Sequence, residues 1–190
     1  MAMTFRNDVL QRAHGGRALL VASSLLLGLG CSARADIPEV VLTQNDVAID
    51  GVPAIPGISA EPSVVTTSFN HPKGFELPGF FKSELYALSA KATGLGDTDD
   101  MSFVEGLTLT LASMADGAPE PIVVASYERG QDLSGSVIEM EVDSDANVLA
   151  YWETKSAYYD LTVWGMMPED AWALDVTVAF SGSISVSSSD

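Results

Sequence analysis

Alternation of apolar and polar residues is the main pattern of this chain. Successive side chains of a β-strand point to opposite faces, so a period of two predicts a strand with one buried face. The longest run extends from Trp172 to Val186, where apolar residues fill every second position and only Gly182 interrupts them. We expect this strand to bend or bulge at Gly182. We expect its opposite face, which includes Ser183, to be exposed to solvent. The same period predicts strands over residues 101–113, 136–143 and 158–164.

Other segments carry strand signals of different kinds. Residues 63–69 are rich in β-branched side chains, which favours a strand. Residues 83–93 fit both a helical stripe and the alternation of a strand, and because the neighbouring segments are predicted strands, we predict a strand here too. Apolar spacing predicts one short helix near 146–155. Because turn signals separate the strands and helices do not alternate with them, we predict an all-β fold. The predicted architecture is an antiparallel β-sandwich of about eight strands, with a small β-barrel as the alternative.

The N-terminal segment has the pattern of an export signal. Three arginines precede an uncharged, leucine-rich run over residues 18–30. As a helix this run is about 20 Å long, against a hydrocarbon core of roughly 30 Å, which favours a signal peptide over a permanent transmembrane helix. The triplet Ala33-Arg34-Ala35 has small residues where signal peptidase reads them, so we predict a signal peptide over residues 1–35.

A second cleavage site competes with the first. The residues Leu29-Gly30-Cys31 resemble the lipobox of bacterial lipoproteins, in which the cysteine is lipidated and becomes the new N-terminus. In that alternative the signal covers residues 1–30 and a lipid on Cys31 anchors the protein in the outer membrane. Otherwise we expect the protein in the periplasm or outside the cell. Cys31 is the only cysteine, so no intramolecular disulfide forms.

The remaining residues suit a single acidic domain. We expect an edge strand and a loop rich in proline and glycine over 36–62, and the body of the sandwich over 63–190. Residues 36–190 contain 5 basic and 25 acidic residues, a formal net charge of −20. Such a charge repels nucleic acids and anionic lipids, so we expect no nucleic-acid partner and a membrane contact only through a lipid on Cys31.

Two acidic turns are candidate calcium sites. Asp143, Asp145 and Asn147 follow the D-x-D-x-N spacing, which resembles the opening of an EF-hand loop and presents hard oxygen ligands from alternate side chains. The EF-hand glycine is replaced by Val148, so the alternatives are an irregular calcium turn and a plain polar turn. The second candidate is a loop with three carboxylates, Asp97, Asp99 and Asp100, for which the alternative is a solvated loop. Calcium is the only cofactor that the sequence suggests.

The sequence carries no catalytic motif above chance. Residues 36–190 contain one histidine, His71, and neither G-x-S-x-G nor H-E-x-x-H occurs. Tyr158 and Trp164 are predicted on the outward face of one strand, where they form a candidate surface for stacking a ligand; packing under a loop is the alternative. We therefore predict a non-enzymatic, exported envelope protein that acts as a structural or interaction module. A calcium- or carbohydrate-binding module is the alternative, and a hydrolase is the third hypothesis.

Overall fold

The fold consists almost entirely of antiparallel strands. The computed structural model describes residues 33–54, 61–70, 82–96, 98, 100–130, 135–152, 154 and 156–186, all within one compact unit that comprises residues 31–190. The described residues form eight β-strands and one short helix: β1 (Ala33–Ile49), β2 (Ser63–Asn70), β3 (Lys82–Gly94), β4 (Val104–Ser113), β5 (Ile122–Glu128), β6 (Val137–Val142), α1 (Leu149–Trp152), β7 (Ala157–Gly165) and β8 (Trp172–Val186). The predicted all-β class and the short helix near 146–155 are confirmed.

The eight strands form one sheet in the order β1-β8-β3-β6-β5-β4-β7-β2. The first four strands pair with the last four in reverse order, as β1 with β8, β2 with β7, β3 with β6 and β4 with β5. Further ladders join β8 to β3, β6 to β5 and β4 to β7. This connectivity is that of a jelly roll. The edge strands β1 and β2 lie near each other, so the sheet is nearly closed and barrel-shaped.

The inward faces of the strands form the core. In β7 the inward residues Tyr159, Leu161 and Val163 are buried and alternate with half-buried outward residues. The inward residues of β8 from Trp172 to Phe180 are buried in the same way. An interior cavity between β1, β2, β4, β7 and β8 has a volume of about 10 Å³, which is room for roughly one water molecule.

The ladder is irregular at Gly182, but the extra residue lies in β1 and not in β8. β8 continues through Gly182, and the irregularities of its ladders lie in its partners, between Ile37 and Val40 and between Gln44 and Val47 in β1 and between Ala87 and Ser89 in β3. A Cβ at Gly182 would lie 1.9 Å from the carbonyl oxygen of Glu84. Glycine is therefore required there for the close approach of the β3 backbone.

Ser183 also departs from the alternation. The period of two places it on the exposed face of β8, but its exposed fraction is 6 %. Its partners in the ladders are Asp36 of β1 and Glu84 of β3. β8 lies inside the sheet between these two strands, and a small serine side chain is accommodated at this crowded position.

Candidate functional site

The first candidate calcium turn is used as a helix cap. The carboxylate of Asp143 accepts a hydrogen bond from the backbone N–H of Asp145 at 2.9 Å. The side-chain oxygen of Asn147 accepts from the backbone N–H of Leu149 and from that of Leu85, each at 3.1 Å. Asn147 thus caps α1 and ties the turn to β3. Two protein donors already occupy the oxygen that a calcium ion would need.

Two of the three carboxylates of the second acidic turn, those of Asp97 and Asp99, lie outside the described residues, as do His71 and Cys31. Asp100 is described, and its carboxylate accepts a hydrogen bond from the backbone N–H of Ser102 at 2.9 Å. Within the described ranges no group of three histidine, cysteine, aspartate or glutamate side chains is close enough to hold a metal ion. Calcium binding therefore stays a prediction, which a thermal melt with and without millimolar calcium tests.

Tyr158 and Trp164 both lie on the outward face of β7 and are half-buried there. Six positions along a strand correspond to about 20 Å, so the two side chains lie at opposite ends of the strand. Tyr158 pairs with Asn70 of β2 and Ala112 of β4. The two aromatic rings therefore do not form one continuous surface, and each has its own surroundings.

Trp164 lies over a glycine of the neighbouring strand. It pairs with Gly106 of β4 on one side and with Val64 of β2 on the other. A Cβ at Gly106 would lie 1.9 Å from Cζ2 and 2.1 Å from Cε2 of Trp164, which means that the indole occupies the space above the glycine. One face of the indole is thus supported by the backbone of β4, and only a glycine leaves room for it.

A β-bulge shapes the same end of the sheet. Val104 pairs with Gly165 and Gly106 pairs with Trp164, so Glu105 is an extra residue in β4. Gly165 has a φ of 147°, and a Cβ there would lie 2.1 Å from the carbonyl oxygen of Phe103. A bulge redirects the side chain of its extra residue, which here brings Glu105 beside Trp164.

The end of β5 completes this region. The backbone N–H of Arg129 donates to the carbonyl oxygen of Glu105 at 2.9 Å, and Nη1 of its guanidinium donates to the carbonyl oxygen of Ser102 at 2.8 Å. Glu128 pairs with Gly106 on the side away from Trp164. Together these residues line an open groove of about 360 Å³, which we call the Trp164 groove: Glu105, Glu128, Arg129 and Trp164.

Of the four residues that line the Trp164 groove, only Trp164 is predicted as a candidate from the sequence. Gly106 was the available sequence signal for the groove. It lies on the same face of the predicted strand as Thr108 and Thr110, and a glycine at an outward position leaves space for the side chain of the residue that pairs with it. The partner strand was not readable from the sequence. Val64, the partner of Trp164 on β2, has a residue exposure of 69 %.

Hydroxyl groups fill the middle of this outer face, between Trp164 and Tyr158. The hydroxyls of Thr66 and Thr162 are hydrogen-bonded to each other at 3.0 Å across β2 and β7. Next to them the hydroxyl of Ser68 donates to the carboxylate of Asp160. The polar groups of this part of the face therefore satisfy one another across the strands.

Two tyrosines of the interior have perturbed acidities. Burial raises the pKa of Tyr159, and a smaller effect in the opposite direction comes from its hydrogen bond with Trp152. Burial also raises the pKa of Tyr151, with an additional contribution from the negative charge of Glu120. The hydroxyl of Tyr151 donates to the backbone carbonyl of Glu120. Both phenols are kept neutral by their surroundings, which is the state of a structural tyrosine.

Neither family models nor curated proteins match this chain. In the described part of the chain no helix has the length and apolar character needed to span a bilayer.

Proposed function

We propose that this chain is an exported, non-enzymatic interaction module of a bacterial envelope, and that it binds its partners through its outer surface. The export signal over residues 18–30 supports the first part of the proposal. The scarcity of catalytic residue types, with His71 as the one histidine after the signal, supports the second. The acidic charge keeps such a module soluble and repels anionic surfaces.

The observation that carries the proposal is the contrast between the interior and the Trp164 groove. The interior cavity of about 10 Å³ has room for roughly one water molecule. The Trp164 groove measures about 360 Å³ and opens to the solvent. The Trp164 groove therefore supports a binding site on the outer face of the sheet.

Processing of the N-terminus belongs to the same proposal. Residues 33–35 pair with residues 184–186 in the ladder between β1 and β8. Cleavage after Ala35 would remove these pairs, whereas cleavage before Cys31 would keep them. We therefore favour the lipidated form, in which β1 retains its full length.

Fractionation of a Gram-negative host that expresses the full chain tests export. We expect the mature protein in the envelope fraction, with an intact mass that begins at Cys31 and includes an acyl adduct. A mass that begins at Asp36 in the periplasm would retain the export proposal and remove the lipid anchor. An uncleaved chain in the cytoplasm would overturn the proposal.

The non-enzymatic part has its own test. The purified protein is incubated with chromogenic glycosides, esters and a protein substrate, beside a His71→Ala variant. We expect no turnover above the buffer control. Turnover that disappears in the His71→Ala variant would establish the hydrolase hypothesis instead.

A further inference from the structure

We propose that the Trp164 groove binds a neutral saccharide. This inference rests on the proposed function, because it specifies the ligand of a module that binds through its outer surface. A sugar ring has an apolar face of C–H groups and a rim of hydroxyls, and it therefore requires a flat apolar platform beside hydrogen-bonding groups. The Trp164 groove supplies both kinds of surface on one end of the sheet.

The platform consists of Trp164 and its neighbour on β2. The indole is held from below by the backbone at Gly106, which leaves its opposite face directed away from the sheet. Val64 pairs with Trp164 and is 69 % exposed, so it extends the apolar surface by one strand. A rigid aromatic ring that is already in place loses little conformational entropy when a ligand stacks on it.

The polar side of the groove is formed by β4 and β5. The carboxylates of Glu105 and Glu128 accept hydrogen bonds from hydroxyl donors, and a sugar rim presents several such donors. The bulge at Glu105 fixes the position of this residue, because the backbone N–H of Arg129 donates to its carbonyl oxygen. The apolar platform and the hydrogen-bonding wall thus lie side by side across adjacent strands.

The charges of the groove favour a neutral ligand. The two carboxylates and the net charge of −20 over residues 36–190 repel a uronic acid or a sulfated sugar. The guanidinium of Arg129 lines the same groove and offsets part of this negative charge, which weakens the local attraction for a cationic sugar. A neutral hexose polymer or its end satisfies both conditions.

The end of the face that carries Tyr158 is a matched control region. Tyr158 lies on the same strand and the same face, but its partner on β4 is Ala112, within a regular part of the ladder. It lacks the supporting glycine and the bulge that shape the groove at Trp164. A Tyr158→Ala variant therefore removes an outward aromatic ring without changing the proposed site.

Affinity electrophoresis of the purified protein at physiological salt tests the proposal. The probes are a soluble glucan, a mannan and a galactan, with polygalacturonate and chitosan as the acidic and cationic comparisons. We expect at least one neutral polysaccharide to retard the protein. We expect Trp164→Ala to weaken this binding by roughly tenfold or more, Trp164→Phe by less, and Tyr158→Ala by less than about twofold.

Three results would overturn the proposal: none of the neutral polysaccharides binds, only polygalacturonate or chitosan binds, or Tyr158→Ala weakens binding as much as Trp164→Ala. Urea unfolding of each variant shows whether it is folded. If Trp164→Ala does not fold, the polysaccharide affinities of Trp164→Phe and Glu128→Gln are measured in its place. Affinities unchanged from those of the unmodified protein in both variants would also overturn the proposal. An exported, catalytically inactive protein that binds no polysaccharide would contradict this inference alone and leave the proposed function standing.

Discussion

Trp164 and Tyr158 lie on the same strand and the same outward face, yet their surroundings differ. At Trp164 the neighbouring strand offers Gly106 and a bulged residue, Glu105, and the indole occupies the space above the glycine. At Tyr158 the neighbouring strand offers Ala112 in a regular ladder. Ala112 has an exposed fraction of 2 % and carries its own methyl group at the position that Gly106 leaves open.

The difference shows what makes a site on a β-sheet. Alternation decides which face a side chain occupies, and this face is the same for both aromatic residues. The missing side chain at Gly106 and the redirected side chain at Glu105 create the groove. The site at Trp164 thus depends on the backbone of the strand beside it.

The largest effect on stability is expected at Gly165, which follows Trp164 and lies at the bulge between β4 and β7. A Gly165→Ala variant should lose about 3 kcal/mol of unfolding free energy, because φ is 147° and the new Cβ would meet the backbone at Phe103. Urea unfolding measures the loss. Gly130→Ala is the control near the same groove, since a Cβ there meets no atom within 4 Å, and its stability should change by less than about 0.5 kcal/mol. Equal losses in both variants would contradict the role of Gly165.

Exchanging the small β4 residues that pair with the two aromatic residues tests the difference between their surroundings directly. Gly106→Ala should cost about 2 kcal/mol, because its Cβ would lie 1.9 Å from Cζ2 of Trp164 and the indole has to move outward. Acrylamide quenching of tryptophan fluorescence should rise, and the rise should be absent in Gly106→Ala combined with Trp164→Phe. The reverse exchange, Ala112→Gly, should cost about 1 kcal/mol and leave the quenching unchanged. An unchanged quenching in Gly106→Ala would show that the indole does not lie over this glycine.

The residue beside Tyr158 tests the inward face of the same strand. Burial raises the pKa of Tyr159, so the folded state holds its neutral form, while the unfolded chain loses this proton near pH 10. The resulting stability is complete below about pH 10 and falls as the pH rises further, by at most about 1.4 kcal/mol per pH unit. Tyr159→Phe should make the fall between pH 10 and pH 11 shallower in urea unfolding curves. A slope identical to that of the unmodified protein would contradict the burial of this phenol.

The smallest effect is expected in the middle of the outer face, between the two aromatic residues. Thr162→Val should cost about 0.5 kcal/mol, because it removes the hydrogen bond to Thr66 at a solvent-exposed position. Thr66→Val should cost a similar amount. In the double variant the two losses should not add, and the coupling energy measures the bond. Full additivity would mean that the two hydroxyls are independent.

Particular residues show where sequence reasoning succeeds on this chain and where it ends. The outward positions of Tyr158 and Trp164 were predicted correctly, because alternation is a property of a single strand. Residues 83–93 were ambiguous by sequence, and the strand β3 forms there because it lies between β8 and β6. The turn at Asn147 was predicted as a calcium candidate or a polar turn, and its role as a helix cap became visible only with the positions of its backbone donors.

By itself the sequence determined the all-β class, the short helix and the inward and outward faces of the strands. These features depend on local periodicity, which is complete within each segment. Tertiary structure decided the order of the strands, the reason for Gly182 and the assembly of the Trp164 groove. Each of these depends on which backbone lies beside a given residue, as when β7 brings Trp164 onto Gly106 of β4. Such neighbours are far apart in the chain, and the pattern of one strand carries no information about its partner.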